Sequence, residues 1–164
     1  IKKTGPTQVV SGQPIQYTLT GIGNTSTVPL TSFYWRDALP APVTLTRIVT
    51  GTYNQQLAYK IVYKTNLSGD TYRTLADNLS TTQNYVLDAS PTALGLAANE
   101  VKAGFAQVET PYVHGTVAQG LAKNSSFVNI ADVGGLYNGQ WIMGVSRWVT
   151  SVYAKPEPLP RTGY

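Results

Sequence analysis

Histidine occurs once in these 164 residues, as His114, and cysteine does not occur at all. That excludes disulfides, thiolate metal sites, cysteine nucleophiles and multi-histidine zinc or iron centres. His114 stands in Tyr112-Val113-His114-Gly115, and no Gly-x-Ser-x-Gly elbow offers it a serine partner. It reads as a strand residue rather than a catalytic one. Asp70, Asp77, Asp88 and Asp132 lack the spacing of a calcium loop. Gly21-x-Gly23 and Gly134-Gly135 read as hairpin turns, since neither opens a helix that could hold phosphate. No metal, no cofactor and no enzymatic turnover is expected. What remains is the chemistry of amines, carboxyls and carboxamides, together with the terminal run Leu159-Pro160-Arg161-Thr162-Gly163-Tyr164.

The elements that must position such groups are strands. Hydrophobic residues make up 42% of the chain, enough for a core, while only 12% are charged, which argues against disorder. Eleven Tyr and three Trp suit pleated, half-buried surfaces. Alternation of period 2 recurs between Gly, Pro, Asn and Ser breaks. Ile15, Tyr17 and Leu19 share one face of a strand over 15–20, and Phe33, Trp35 and Asp37 share one face over 30–37. Further extended runs are expected over 1–4, 43–49, 57–65, 71–75, 101–108, 112–117, 126–133 and 140–153. Ser90 as a cap and Pro91 in the first turn predict one short helix through Ala98. The pattern implies an antiparallel β-sandwich with one short helix. No apolar run is long enough for a membrane-spanning helix. The net charge of +4 is dilute and unclustered apart from Lys2-Lys3, so no nucleic-acid footprint is present. The chain opens on Ile1 rather than Met, and is expected to be a fragment or processed product.

Three prolines in the seven residues 154–160 mark a change of character. A domain over 1–153 is expected to give way to an extended linker over 154–164. Leu159, Pro160, Arg161, Thr162 and Gly163 resemble Leu-Pro-x-Thr-Gly, the sorting signal of Gram-positive surface proteins. Pro160 fixes an extended segment, and Gly163 permits close approach of a protease-like cleft to the Thr162–Gly163 bond. The hydrophobic segment and basic tail of such signals do not follow here. The resemblance implies a sortase as partner, then peptidoglycan or a pilin subunit, and a location at the cell surface.

The domain carries a second resemblance. Ile1-Lys2-Lys3-Thr4, the run from Val9 to Thr20, Phe33-x-Trp35-Arg36-Asp37-Ala38-Leu39-Pro40 and Phe127-Val128-Asn129-Ile130-Ala131-Asp132-Val133 follow in order. Together they are similar to the immunoglobulin-like domains of bacterial surface proteins and pilins. Gln13 departs from that pattern, which has Asp. Related domains join a Lys of the first strand to an Asn of a late strand, helped by a buried acid. The resemblance implies Lys3, Asn129 and Asp37 in those roles. Side-chain parity agrees: Lys3 shares a face with Ile1, Asp37 with Phe33 and Trp35, and Asn129 with Phe127 and Ala131. Lys2, Lys60, Lys64 and Lys102 are alternatives for the amine. Against this stands the plain reading of a surface lysine, a turn-capping Asp37 and a strand-end Asn129.

Two functions stay open on these grounds. One is a mechanical stalk projecting neighbouring domains of the same protein. The other is an adhesive module for a glycan or host protein, with an aromatic strip among Tyr34, Tyr53, Tyr59, Tyr63, Tyr72, Tyr137, Trp141 and Trp148. Three or more of these exposed in one patch would favour the second.

Overall fold

A computed structural model describes residues 1–65, 71–86 and 93–153. The strands in chain order are β1 Lys2–Thr4, β2 Gln8–Val9, β3 Pro14–Thr20, β4 Leu30–Ala38, β5 Val43–Val49, β6 Tyr59–Lys64, β7 Arg73–Leu79, β8 Asn84–Val86, β9 Ala93–Ala98, β10 Glu100–Val101, β11 Tyr112–Val117, β12 Ser126–Tyr137 and β13 Gln140–Val152. They form two sheets. One runs β1-β3-β11-β5-β8; the other runs β2-β13-β12-β4-β9-β6-β7, with β10 paired to β4. Among the described residues, pairings are antiparallel except that of β2 with β13. The all-β sandwich expected from the alternation is the architecture observed.

The alternation decides which face is inside. Ile15, Tyr17 and Leu19 of β3 are buried, as are Phe33, Trp35 and Asp37 of β4 and Phe127, Asn129, Ala131 and Val133 of β12. Leu45, Ile48, Ile61, Leu94, Leu96 and Val113 fill the space between the sheets. Burying side chains of this size supplies on the order of 2 kcal/mol each.

Two local expectations are overturned. There is no helix among the described residues: Ala93–Ala98 is strand β9, while Ser90 and Pro91 lie outside them. β9 is paired on both sides, with β4 and with β6, and Leu94 and Leu96 both point into the core. Ladder bonds on two edges outweigh a weak local preference. Gly134-Gly135 is no turn either. Both lie inside β12, and added Cβ atoms would strike the Tyr34 ring and Leu30. The β12–β13 turn falls instead at Asn138-Gly139, with φ of 49° and 74°. Those angles fit a type I′ hairpin turn, for which Asn-Gly is the favoured pair. Gly21, at φ 69°, follows the end of β3 as expected, whereas Gly23 forms a bridge with Ala106. The extended run expected over 101–108 shrinks to the end of β10, that bridge and a second one between Gln107 and Tyr53.

Candidate functional site

Lys3 enters the core from the five-stranded sheet. It pairs with Leu19 of β3, and its neighbour on that face is Tyr17. Asp37 and Asn129 enter from the other sheet. Asp37 pairs with Ala131, so Asn129, two residues earlier on β12, is its diagonal neighbour on the same face. Such diagonal pairs are within side-chain reach. Lys3 is 1% exposed and Asp37 and Asn129 are 0% exposed. The lysine side chain therefore spans the gap between the sheets, and its Nζ meets Asp37 Oδ2 at 2.6 Å. The Tyr17 ring lies 4.4 Å from Nζ. On the other side, Asn129 pairs with Trp148 of β13. The Trp148 Nε1–H donates to the Pro6 carbonyl at 2.8 Å, as the Thr150 hydroxyl does at 2.9 Å.

The hydrogen bonding here is incomplete. Asp37 Oδ1, both polar atoms of the Asn129 carboxamide and the Tyr17 hydroxyl are buried without a hydrogen bond of good geometry, although Asn129 lies close enough to act on both Asp37 and Tyr17, and Thr150 on Tyr17. An unpaired buried polar atom costs about 1–3 kcal/mol. Four together in one part of a core are a concentration of strain that packing alone does not call for.

Burial also shifts the titrating groups. The Lys3 amine is held below the ordinary lysine range, first by burial, against the pull of the Asp37 charge. The Asp37 carboxyl is held above its ordinary range, first by burial, against the Lys3 charge and hydrogen bond. Both directions favour a neutral amine beside a protonated carboxyl. The Tyr17 phenol is pushed up to about 12, chiefly by burial, and stays protonated. An amine and a carboxyl, each pushed by burial toward its neutral form, thus share one dry compartment with an amide carbonyl. That is the reagent set for attack of an amine on a carboxamide.

The alternatives for the amine fall elsewhere: Lys2, Lys60 and Lys102 are exposed and Lys64 is half-buried. Lys3 is not a surface lysine, nor is Asp37 an exposed cap. Leu159, Pro160, Arg161, Thr162 and Gly163 lie outside the described residues. His114 is half-buried beside Tyr112, and burial lowers its pKa. Among the described residues no cluster of three metal-ligating side chains occurs. No helix there is long and apolar enough to cross a membrane. Of the eight aromatics considered for a sugar-stacking strip, only Tyr137 and Trp141 are exposed. Sequence reasoning missed Tyr17 and Trp148 as walls of the compartment. The alternation that buries Tyr17 was readable, but the strand opposite it was not.

No protein-family model matches the chain, and no curated protein matches it. Among solved structures, the collagen-binding subdomain of the Enterococcus faecalis surface protein ACE aligns over 93% of this chain and 94% of its own, at 12% identity and a TM-score of 0.43. The collagen-binding domain of a Staphylococcus aureus adhesin aligns over 93% and 96%, at 12% identity and a TM-score of 0.42. AggA, the major subunit of aggregative adherence fimbriae type I from Escherichia coli, aligns over 93% and 91%, at 12% identity and a TM-score of 0.32. Likenesses this distant assign no function, and the reading that follows rests on the residues of this chain.

Proposed function

We propose that this chain is a stalk domain of a sortase-anchored Gram-positive surface protein or pilin, held closed by a Lys3–Asn129 isopeptide bond that Asp37 promotes. The observation that carries the reading is the buried Lys3–Asp37 contact with the Asn129 carboxamide diagonal to Asp37. Lys3 Nζ attacks Asn129 Cγ. The Asp37 carboxyl donates a hydrogen bond to the oxygen that gains charge, then carries the amine proton to the departing nitrogen. One C–N bond forms, the Cγ–Nδ2 bond breaks and ammonia leaves. The reaction occurs once per chain, consuming Lys3 and Asn129 and returning the Asp37 carboxyl, so it is a maturation step and not turnover.

Intact mass tests this part. The purified domain should weigh one ammonia less than its sequence, and Asp37→Ala should restore the full mass. A wild-type mass equal to the unmodified sequence would refute the bond. Anchoring rests on Leu159 to Gly163 alone. Incubation with a housekeeping sortase and a glycine nucleophile should transfer the domain at Thr162. Failure under conditions that process a control peptide would remove the anchoring half of the proposal and leave the cross-link untouched.

The adhesive reading has one observation in its favour. An open groove of about 560 Å³ beside β4, β6, β7 and β9 is lined by Tyr34, Arg36, Lys60 and Tyr72. Arg36 lies 3.9 Å from the Tyr34 ring centre but is already paired with Asp132 at 2.9 Å. The stalk reading is preferred because only Tyr137 and Trp141 of the eight aromatics are exposed, short of the three that an adhesive strip requires.

A further inference from the structure

The two sheets end in four edges, and three of them are guarded. β1 is three residues long and carries two lysines. β8 is three residues long. β7 pairs with β6 through register shifts and bears Arg73 and Asp77. Short length, bulges and charge are the usual protections against edge-to-edge pairing. The fourth edge is different. β2 pairs with β13 only at Ser151 and Val152, so from Gln140 to Thr150 the one strand that shares a ladder with β13 is β12, while β1 of the other sheet packs beside it and the Lys3 N–H donates to Ser146 Oγ at 2.9 Å. This stretch contains no Lys and no Pro, and Arg147 is its one charged residue.

Its outward face is apolar. Trp141, Met143, Val145 and Val149 are exposed, at 57% for Val145 and 62% for Met143, with Val128 and Ile130 of β12 beside them. Its backbone is poised as well. Ser151 and Tyr153 donate their N–H groups to Thr7 and Val9, away from β12, whereas Val152 donates to Ser125 on the other side. The β12–β13 register is unbroken, so this alternation turns the N–H and C=O groups of Trp141, Met143, Val145, Arg147 and Val149 toward the open edge.

We infer that this edge pairs with the same edge of a second copy, antiparallel, about a two-fold axis at Val145. The open stretch runs from Gln140 to Thr150, and Val145 is its midpoint. That register overlaps the whole edge and sets Trp141 against Val149, Met143 against Arg147 and Val145 against Val145 of the second copy. A two-fold axis at Arg147 would oppose two like charges directly, which destabilises a strand pair. An axis at Met143 would leave Arg147 to Thr150, more than a third of the open stretch, unpaired. Overlap and charge thus select one register of an isologous contact. The contact is small: an eleven-residue pair is about 37 Å long and buries roughly 700–800 Å² in total, below the 1,200 Å² of stable complexes. The dimer is therefore weak in free solution, and it forms where many copies are held at high local concentration on one surface.

Sedimentation equilibrium of the 164-residue chain, from about 10 μM to about 1 mM, tests this without depending on the cross-link or on anchoring. A reversible monomer–dimer equilibrium is expected, with a midpoint on the order of hundreds of μM. Val145→Lys faces solvent in the monomer and places like charges across the axis; it should weaken association at least about 10-fold. Met143→Glu sets a carboxylate against Arg147 of the second copy, twice per dimer, and should tighten association severalfold. A wild-type chain that stays monomeric throughout, or association indifferent to Val145→Lys, would overturn the inference.

Discussion

Lys3 and Asp37 lose their hydration together, and the loss drives them in opposite directions on the pH scale. If Lys3 becomes the proposed amide, the Lys3 charge, the largest influence opposing the shift of Asp37, is gone and burial is left to dominate at the carboxyl. The folded protein then binds a proton at Asp37 over a range where the unfolded chain, titrating near 3.9, has released it. Stability from this group is full below about pH 4 and is lost as pH rises through the raised folded value. The carboxyl carbon of Asp37, followed by NMR, should keep its protonated shift well above the ordinary aspartate range. Titration near pH 4 would contradict the neutral carboxyl on which the chemistry depends. At this scale the site was legible in part. Parity alone placed Lys3, Asp37 and Asn129 on inward faces, because a strand reverses its side chains at every step. It did not show that the lysine belongs to one sheet and its partners to the other, since that depends on which strands pair.

Gly95 shows what decided the elements. A Cβ there would lie 2.0 Å from the Trp35 carbonyl oxygen and 2.7 Å from Arg36 Cα, both backbone atoms that cannot turn aside. Gly95→Ala should force β9 away from β4 and cost about 3 kcal/mol or more, read as a lower denaturation midpoint. A midpoint unchanged from wild type would show that the two strands can part without loss. The segment that holds this glycine is the one the sequence reading made a helix. Between Ala93 and Ala98 the residues are small and have no strong strand preference, so Ser90 and Pro91 tipped the balance toward a helix. Strands β4 and β6 on either side supply what the local sequence lacks. Gly134 misled for the related reason that close packing against Tyr34 requires glycine as surely as a turn does. The Asn138-Gly139 turn lay in plain sight, three residues beyond the turn the glycine pair was taken to make. By contrast, β3 and β12 were readable because their alternation is regular and each has one dry and one wetter face.

In the whole molecule, a bond from Lys3 to Asn129 would close a loop of about 127 residues, for which loop entropy suggests a stabilisation of roughly 5 kcal/mol if disulfide behaviour transfers. Residues 130–153 stay outside that loop and hold by other means. Here the pairing of β2 with β13 matters, because it is the one parallel pairing among the described residues. Ile1 lies beside Gly144, near the start of β13, whereas Val9 lies beside Val152, at its end. The chain therefore enters at one end of this seam and leaves at the other, with the two terminal segments pointing the same way. When the termini are drawn apart, the load runs lengthwise along β13 and slides it past β12 and β2. Bonds loaded in shear share the force and must fail together, whereas a strand peeled from one end gives way one rung at a time. The twelve register pairs between β12 and β13 then act as a mechanical clamp on the exit side of the cross-link.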